Sequence, residues 1–381
     1  MSKSAVVAGH VCLDVIPAIP GPIELRPGRL YEVGPATMGT GGAVSNTGVS
    51  LHLLGIDTVL MGKIGDDTYG EAILDLFNSY DKDLTNGMIK VPGEVTSYSV
   101  VINIPGSDRM FLHCCGANHT FGAEDLKLDA IRKAGLFHFG YPTLMGRTYA
   151  DGGSELLRMY QAVKELGVTT SMDMAMPDPS GPSGAAPWDD ILSAVLPHVD
   201  VFLPSADEIL YMIDRDNYGA GDNLTGDQLS ALGEALLTRG VAVAGVKLGD
   251  RGLYLRTAGR SRLKAMGKCA PDDLDLWANR EIWLPVFDVN VVSAVGAGDS
   301  TIAGFLAGLM QGLSLVEAGR GATMVGAMNV QAASALGGIR DWDDTQETMA
   351  DVPVTPLPNP GKGWREDPDS HIWFGPNNRS S

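Results

Sequence analysis

Residues 289–310 read VNVVSAVGAGDSTIAGFLAGLM, and their meaning turns on four of them, Gly296-Ala297-Gly298-Asp299. An apolar stretch, Val289–Val295, comes first. A helical period follows, with Ile302, Phe305, Leu306 and Leu309 at i, i+3, i+4 and i+7, one face of a helix made to lie on a sheet. Between the two, small residues let the backbone turn tightly with several N–H groups facing one point, where the helix macrodipole adds about half a positive charge. That combination is an anion hole. Asp299, in the first turn beside it, is placed to take a proton from an attacking hydroxyl while Gly296, Ala297 and Gly298 hold the oxygens of a transferring phosphoryl group. Asp is also a common helix cap, and these four residues alone do not separate the two roles.

Outward from this stretch, short β-branched runs alternate with longer helix-period segments. Strands are expected at 5–8, 58–61, 136–139, 168–172, 199–203 and 241–246, and helices at 42–54, 67–80, 150–166, 188–196, 225–239, 299–312 and 314–336. The alternation predicts an α/β fold, a three-layer sandwich whose central sheet is mostly parallel and covered on both faces. Two stretches break the pattern. Residues 14–38 carry five prolines and no helical period, and 95–115 reads as two strands around the turn Pro105-Gly106-Ser107-Asp108. Both are expected to form a small β-sheet standing off the main domain as a lid, with pieces at about 14–38 and 95–118. The main domain would run over 1–340. Residues 341–381, rich in Asp, Pro, Asn and Gly, would be a C-terminal extension over the surface, and 268–280 a polar insertion. No internal repeat is present.

The chain has 381 residues, 44% hydrophobic and 19% charged, enough for one large domain or two modest ones. With 28 basic and 46 acidic residues its net charge is −18, which argues against nucleic acid and membrane surfaces as partners. A phosphorylated ligand would have to be met by local positive potential from backbone N–H groups, a helix N-terminus and a metal ion. Cys12, Cys114, Cys115 and Cys269 suit neither a disulfide framework nor a metal knuckle, so a reducing cytoplasm is the expected compartment. Neither a signal peptide nor a membrane span is expected. The P-loop pattern is missing, since Lys63 is followed by Ile64 and Lys268 by Cys269. Gly39-Thr40-Gly41 has Val44 where a dinucleotide fingerprint needs its last glycine, and the seven histidines show no metal-ligand spacing along the chain.

A second glycine cluster, Gly39-Thr40-Gly41-Gly42-Ala43-Val44-Ser45-Asn46, opens another helix. Paired glycines permit close backbone approach to a polyol, and Asn46 offers a donor and an acceptor one turn in; the same glycines would also serve a plain turn. Asp14 ends the first strand region, where ligands gather in open parallel sheets.

Taken together, these residues resemble the ribokinase-like, or PfkB, carbohydrate kinases from about Ala5 to Ile339. The resemblance implies a sugar-binding Asp at Asp14 and sugar hydroxyls held by Gly41, Gly42 and Asn46. It also matches Gly62-Lys63-Ile64-Gly65-Asp66-Asp67 with Gly70, a lid hairpin ending in Gly116-Ala117-Asn118, and an anion hole with catalytic base at Gly296 to Asp299. ATP and Mg²⁺ are the implied cofactors. Glu208 in Ser205-Ala206-Asp207-Glu208 would organise the metal, with Ser205 standing where the family has Asn. Lys247, Gly249 and Gly252 would form the nucleotide loop, the lysine meeting a phosphate as a point charge. Ser293-Ala294-Val295 lacks the family's carboxylate there, which argues against an activating monovalent cation, and of the family's D-x-N-x-R only Asp173 is matched.

The implied activity is ATP-dependent phosphorylation of a primary hydroxyl on a small sugar or polyol. A nucleoside acceptor would use aromatic faces at Tyr98, Phe111 and Tyr141, and a sugar acid would use Arg109 in the lid. A non-catalytic sugar- or nucleotide-binding regulator is the reading from another class. Unpaired lid-strand edges would allow a homodimer through the lid.

Overall fold

The computed structural model describes residues 4–106 and 110–378. Arg109 and the two residues before it in the expected lid turn lie outside the described residues.

The largest sheet has ten strands. Six are parallel, in the order Thr58–Met61, Ala5–Gly9, Leu136–Gly140, Thr169–Asp173, Val201–Phe202 and Val243–Lys247. Four antiparallel strands continue it: Leu253–Thr257, Glu281–Leu284, Trp373–Phe374 and Arg365–Glu366. The first strand shows how the sequence builds two cores. Ala5 and Val7 face a cluster with Val44, Phe305, Leu306 and Val325, while Val6 and Ala8 face Phe137, Phe139, Leu156 and Tyr160. One layer therefore holds helices Ala43–Leu53, Ala297–Met310 and Leu315–Val330; the other holds Ser154–Lys164, Trp188–Val195, Ala206–Ile213 and Gly226–Thr238.

The lid is a separate four-stranded sheet, in the order Gly34–Gly41, Cys12–Ala18, Tyr98–Ile102 and Met110–Cys114. It is tied down at its base by Asn118, which is wholly buried: its amide donates to the Val11 carbonyl (2.9 Å) and its carbonyl accepts from the Val11 N–H (3.2 Å).

Four local readings change, the first being that the helix expected over 314–336 runs only Leu315–Val330. Residues 150–153 are not the start of a helix, because Asp151, Gly152 and Gly153 take positive φ and the helix begins at Ser154. The apolar Val289–Val295 stretch is an exposed loop, with Val291 65% exposed and the N–H groups of Val292 and Ser293 both on the Val330 carbonyl. The region beyond Asp341 is more than a surface strap. It forms a helix, Trp342–Asp351, then a bridge from Val354 to Phe287, and finally supplies the last two strands of the main sheet. The scattered tryptophans explain this: Trp364 packs against Tyr254 and edge-on to Trp283 (6.2 Å between rings), and Trp373 is buried in the same cluster.

Each large side chain buried here contributes about 1.5–3 kcal/mol, so Leu357, Trp364, Ile372 and Trp373 together rival the roughly 5–15 kcal/mol that holds a domain folded. Truncation after residue 354 is expected to lower the thermal unfolding midpoint by well over 10 °C or to yield insoluble protein. An unchanged midpoint would remove the tail from the folding unit.

Candidate active site

The C-terminal ends of the parallel strands carry the site. His10 follows the strand ending at Gly9, Tyr141 follows the one ending at Gly140, Asp173 and Lys247 are the last residues of theirs, and Ser205 lies just past Val201–Phe202. Helix Ala297–Met310 sets its first turn against this row.

Asp299 is the third residue of that helix and only 4% exposed. It does not cap: Gly296, at φ +74°, is the cap residue, and no side chain takes that role. The carboxylate instead turns to other segments. Oδ2 accepts from Asn46 Nδ2 (3.1 Å), Oδ1 accepts from Thr47 Oγ1 (3.1 Å), and both accept from the Tyr141 hydroxyl (2.6 Å each). The N–H groups of Gly298 and Asp299 have no acceptor among the described residues, as expected of a first helical turn with no side-chain cap. The capping alternative therefore fails on geometry, and the amides stay free to meet an anion.

A cation stands beside them. Lys247 Nζ donates to Asp173 Oδ1 (2.9 Å), and a Cβ placed on Gly298 would lie 3.3 Å from the same nitrogen. Burial alone would drive the ammonium toward neutrality, but the charges of Asp173, Glu208 and Asp299 outweigh it and raise its pKa, so Lys247 stays charged. Burial pushes the Asp173 carboxyl up, against the pull of Lys247, with Glu208 and Asp299 adding to the rise. Glu208 begins the neighbouring helix, where its Oε2 accepts from the Ser205 N–H (2.7 Å). Its Oε1 has no protein donor among the described residues, which leaves one hard oxygen of the kind Mg²⁺ takes alongside water and phosphate. Gly249 (φ +60°) and Gly252 (φ +78°) shape the hairpin after Lys247; a Cβ on Gly252 would lie 2.0 Å from the Leu284 carbonyl oxygen.

The opposite side of the site is built from the glycine cluster and the lid. A Cβ on Gly42, at φ +87°, would fall 2.4 Å from the His10 carbonyl oxygen, so only glycine lets this helix start so close to the first strand. A Cβ on Gly41 would sit 2.6 Å from Asp14 Oδ2, which fixes Asp14 over the cluster from its lid strand. Burial raises the Asp14 carboxyl despite hydrogen bonds from Cys12 and Ser99. Asn46 Oδ1 is buried without a partner among the described residues.

Sequence reading missed one constellation. His10 Nε2 lies 3.3 Å from His113 Nε2, and His113 Nδ1 lies 3.0 Å from Ser99 Oγ, so main domain and lid meet through two imidazoles 103 residues apart. Burial, then His113 and His119, push the His10 pKa down to about 3, so it is neutral. Ligand atoms of His10, Cys12 and His113 all lie within 4.8 Å of one another. Thr47, a donor to Asp299, also went unnoticed because the cluster was read only for glycines and Asn46. By contrast, Asp67 in the motif around Gly65 and Gly70 is structural, accepting from the N–H groups of Gly70 and Thr96 (2.8 Å each).

The site and fold define an enzyme for a small hydroxyl-bearing ligand. A model of the pfkB family carbohydrate kinases matches residues 2–341, and the chain belongs to that family. It is a carbohydrate kinase. It is 24% identical over 291 residues to an uncharacterized sugar kinase of Archaeoglobus fulgidus, covering 76% of this chain and 98% of the relative. It is 26% identical over 321 residues to a probable chloroplastic fructokinase of Arabidopsis thaliana, covering 83% and 72% respectively. Its fold matches that of the Arabidopsis thaliana ribokinase solved in complex with ribose and ATP, with a TM-score of 0.70 at 20% identity over 92% of this chain and 99% of the other.

Gly298 offers a way to separate folding from chemistry. Replacing it with Ala should hold or raise thermal stability, since Ala gains about 0.5–1 kcal/mol over Gly inside a helix, while the new methyl crowds Lys247 and the free amides. Turnover is expected to drop at least about tenfold, measured beside a melting curve. Unimpaired turnover would show that no anion is held there.

Proposed function

We propose that the enzyme transfers the γ-phosphoryl group of ATP to a hydroxyl, by preference a primary one, of a small sugar or related polyol. One observation carries this reading: the Asp299 carboxylate, freed from capping, sits beside two unpaired helix amides and a largely buried lysine. Asp14, Gly41, Gly42 and Asn46 orient the acceptor under the lid. Asp299 takes the hydroxyl proton as the oxygen attacks in line, and the free N–H groups of Gly298 and Asp299, with Lys247, stabilise charge on the phosphoryl oxygens, the expected Ala297 N–H being already spent on the Ala294 carbonyl. Ser205, Gly249 and Gly252 border the nucleotide. Mg²⁺, when held near Glu208, supplies charge neutralisation across the phosphates. Closure of the lid excludes water and limits hydrolysis of ATP. The unbridged cysteines suit a cytoplasmic enzyme, and no helix among the described residues is long and apolar enough to cross a membrane.

A coupled ADP-release assay over ketoses, aldoses, sugar acids and nucleosides tests the reading, with Asp299→Asn as its control. Turnover with a sugar is expected, falling by about 10²–10⁴ in the variant while sugar still raises its melting temperature. Near-normal turnover by Asp299→Asn would remove the base. Thermal stabilisation by a sugar with no turnover on any compound would favour a binding regulator instead.

The outer lid strand Met110–Cys114 has an unpaired edge and exposed side chains, Phe111 at 56% and Leu112 at 61%. A homodimer joined lid to lid would cover them. Phe111→Glu should then shift the elution of the protein in size-exclusion chromatography from dimer to monomer, and identical elution of variant and wild type would refute that interface.

A further inference from the structure

Tyr141 is the one residue of the site held in a strained backbone. It takes φ +68°, ψ +48°, a left-handed conformation that is uncommon for a bulky side chain and costs on the order of 1–3 kcal/mol. Its N–H donates to the Asp173 carbonyl (3.2 Å) and its carbonyl accepts from the Leu144 N–H (3.0 Å), so the strain is locked in by neighbours on both sides. The effect is to turn the ring off the end of the strand Leu136–Gly140 and aim its hydroxyl at Asp299.

That contact is the shortest at the carboxylate. Asn46 and Thr47 each donate at 3.1 Å, to one oxygen apiece, whereas the phenol reaches both oxygens at 2.6 Å, a charge-assisted O–H···O⁻ geometry. An alcohol about to be phosphorylated must make the same bond to the same group. The phenol carries one proton, so this is a single O–H shared between the two oxygens on the side that Asn46 and Thr47 leave open.

We infer that the Tyr141 phenol stands in for the acceptor alcohol while the acceptor site is empty, keeping the Asp299 carboxylate closed to water, and yields that bond when an acceptor hydroxyl arrives. Tyr141 is thus a positioning residue, and it makes the base available to the acceptor in preference to solvent. The inference rests on Asp299 as the base. The phenol keeps its proton throughout, because burial foremost, then the charges of Asp299 and Asp173 and the bond to Asp299, raise its pKa well above the usual value. Other groups facing this corner are Glu208 in the first turn of helix Ala206–Ile213, Lys247 at its strand end, neutral His10 with its ring 6.0 Å away, and His113 from the lid beyond it. A group that titrates alike in free enzyme and complex moves kcat and kcat/KM together, so the difference between the two profiles isolates the phenol.

The test is Tyr141→Phe, with pH profiles for the acceptor and an assay of ATP hydrolysis without acceptor. In the free enzyme the carboxylate loses a donor, so the acidic limb of kcat/KM should move up by about one pH unit. The acidic limb of kcat should stay, since the phenol has already left the carboxylate in the complex. Acceptor-independent hydrolysis should rise several-fold. Site-specific 3-fluorotyrosine at position 141 keeps the shape and strengthens the donor, and should move the kcat/KM limb down; it carries the test if the Phe variant does not fold. Limbs that shift together, limbs that do not shift, or unchanged hydrolysis would each overturn the inference. Loss of activity in Asp299→Asn with a wild-type profile in Tyr141→Phe would overturn this inference alone, whereas an active Asp299→Asn would bring down the base on which it rests.

Discussion

A buried carboxylate must find donors or give up its charge, and here one carboxylate draws its donors from two other, widely separated parts of the chain. Asp299 comes from a late helix, Asn46 and Thr47 from an early one, and Tyr141 from the end of a central strand. Meeting that requirement ties the two helices to the strand end where Tyr141 accepts a left-handed backbone, while Gly42 lets the early helix start hard against the His10 carbonyl. The site is in this sense part of the packing.

Charge is distributed with similar economy. The chain carries a net charge of −18, yet the first turn of helix Ala297–Met310 has a largely buried ammonium and two free amides beside it. Burial works against the charge of both partners: it pulls the Lys247 ammonium down and pushes the Asp173 carboxyl up, and their mutual attraction opposes it in each.

Much of this was legible in the sequence, for definable reasons. The parallel half of the sheet announces itself because strands buried on both faces are continuous apolar runs, and the lid because Pro and a turn signal interrupt helical period. Gly296 to Asp299 could be read because backbone chemistry is local. What escaped depends on contacts between distant segments. Nothing near Tyr141 says that its hydroxyl ends on residue 299, and nothing near His10 points to His113. The antiparallel extension of the sheet escaped for another reason: its last strands are two residues long, too short for any period, and their tryptophans acquire meaning only against Trp283.

The sheet's far edge has a consequence for biosynthesis. Glu281–Leu284 emerges from the ribosome well before the short strands that cover it, and at about 5–20 residues per second the open edge waits on the order of ten seconds for its partners. Through that interval Trp283 faces water beside unpaired backbone. The nascent chain is then most exposed to chaperone capture, and to mispairing with a neighbour on the same polysome.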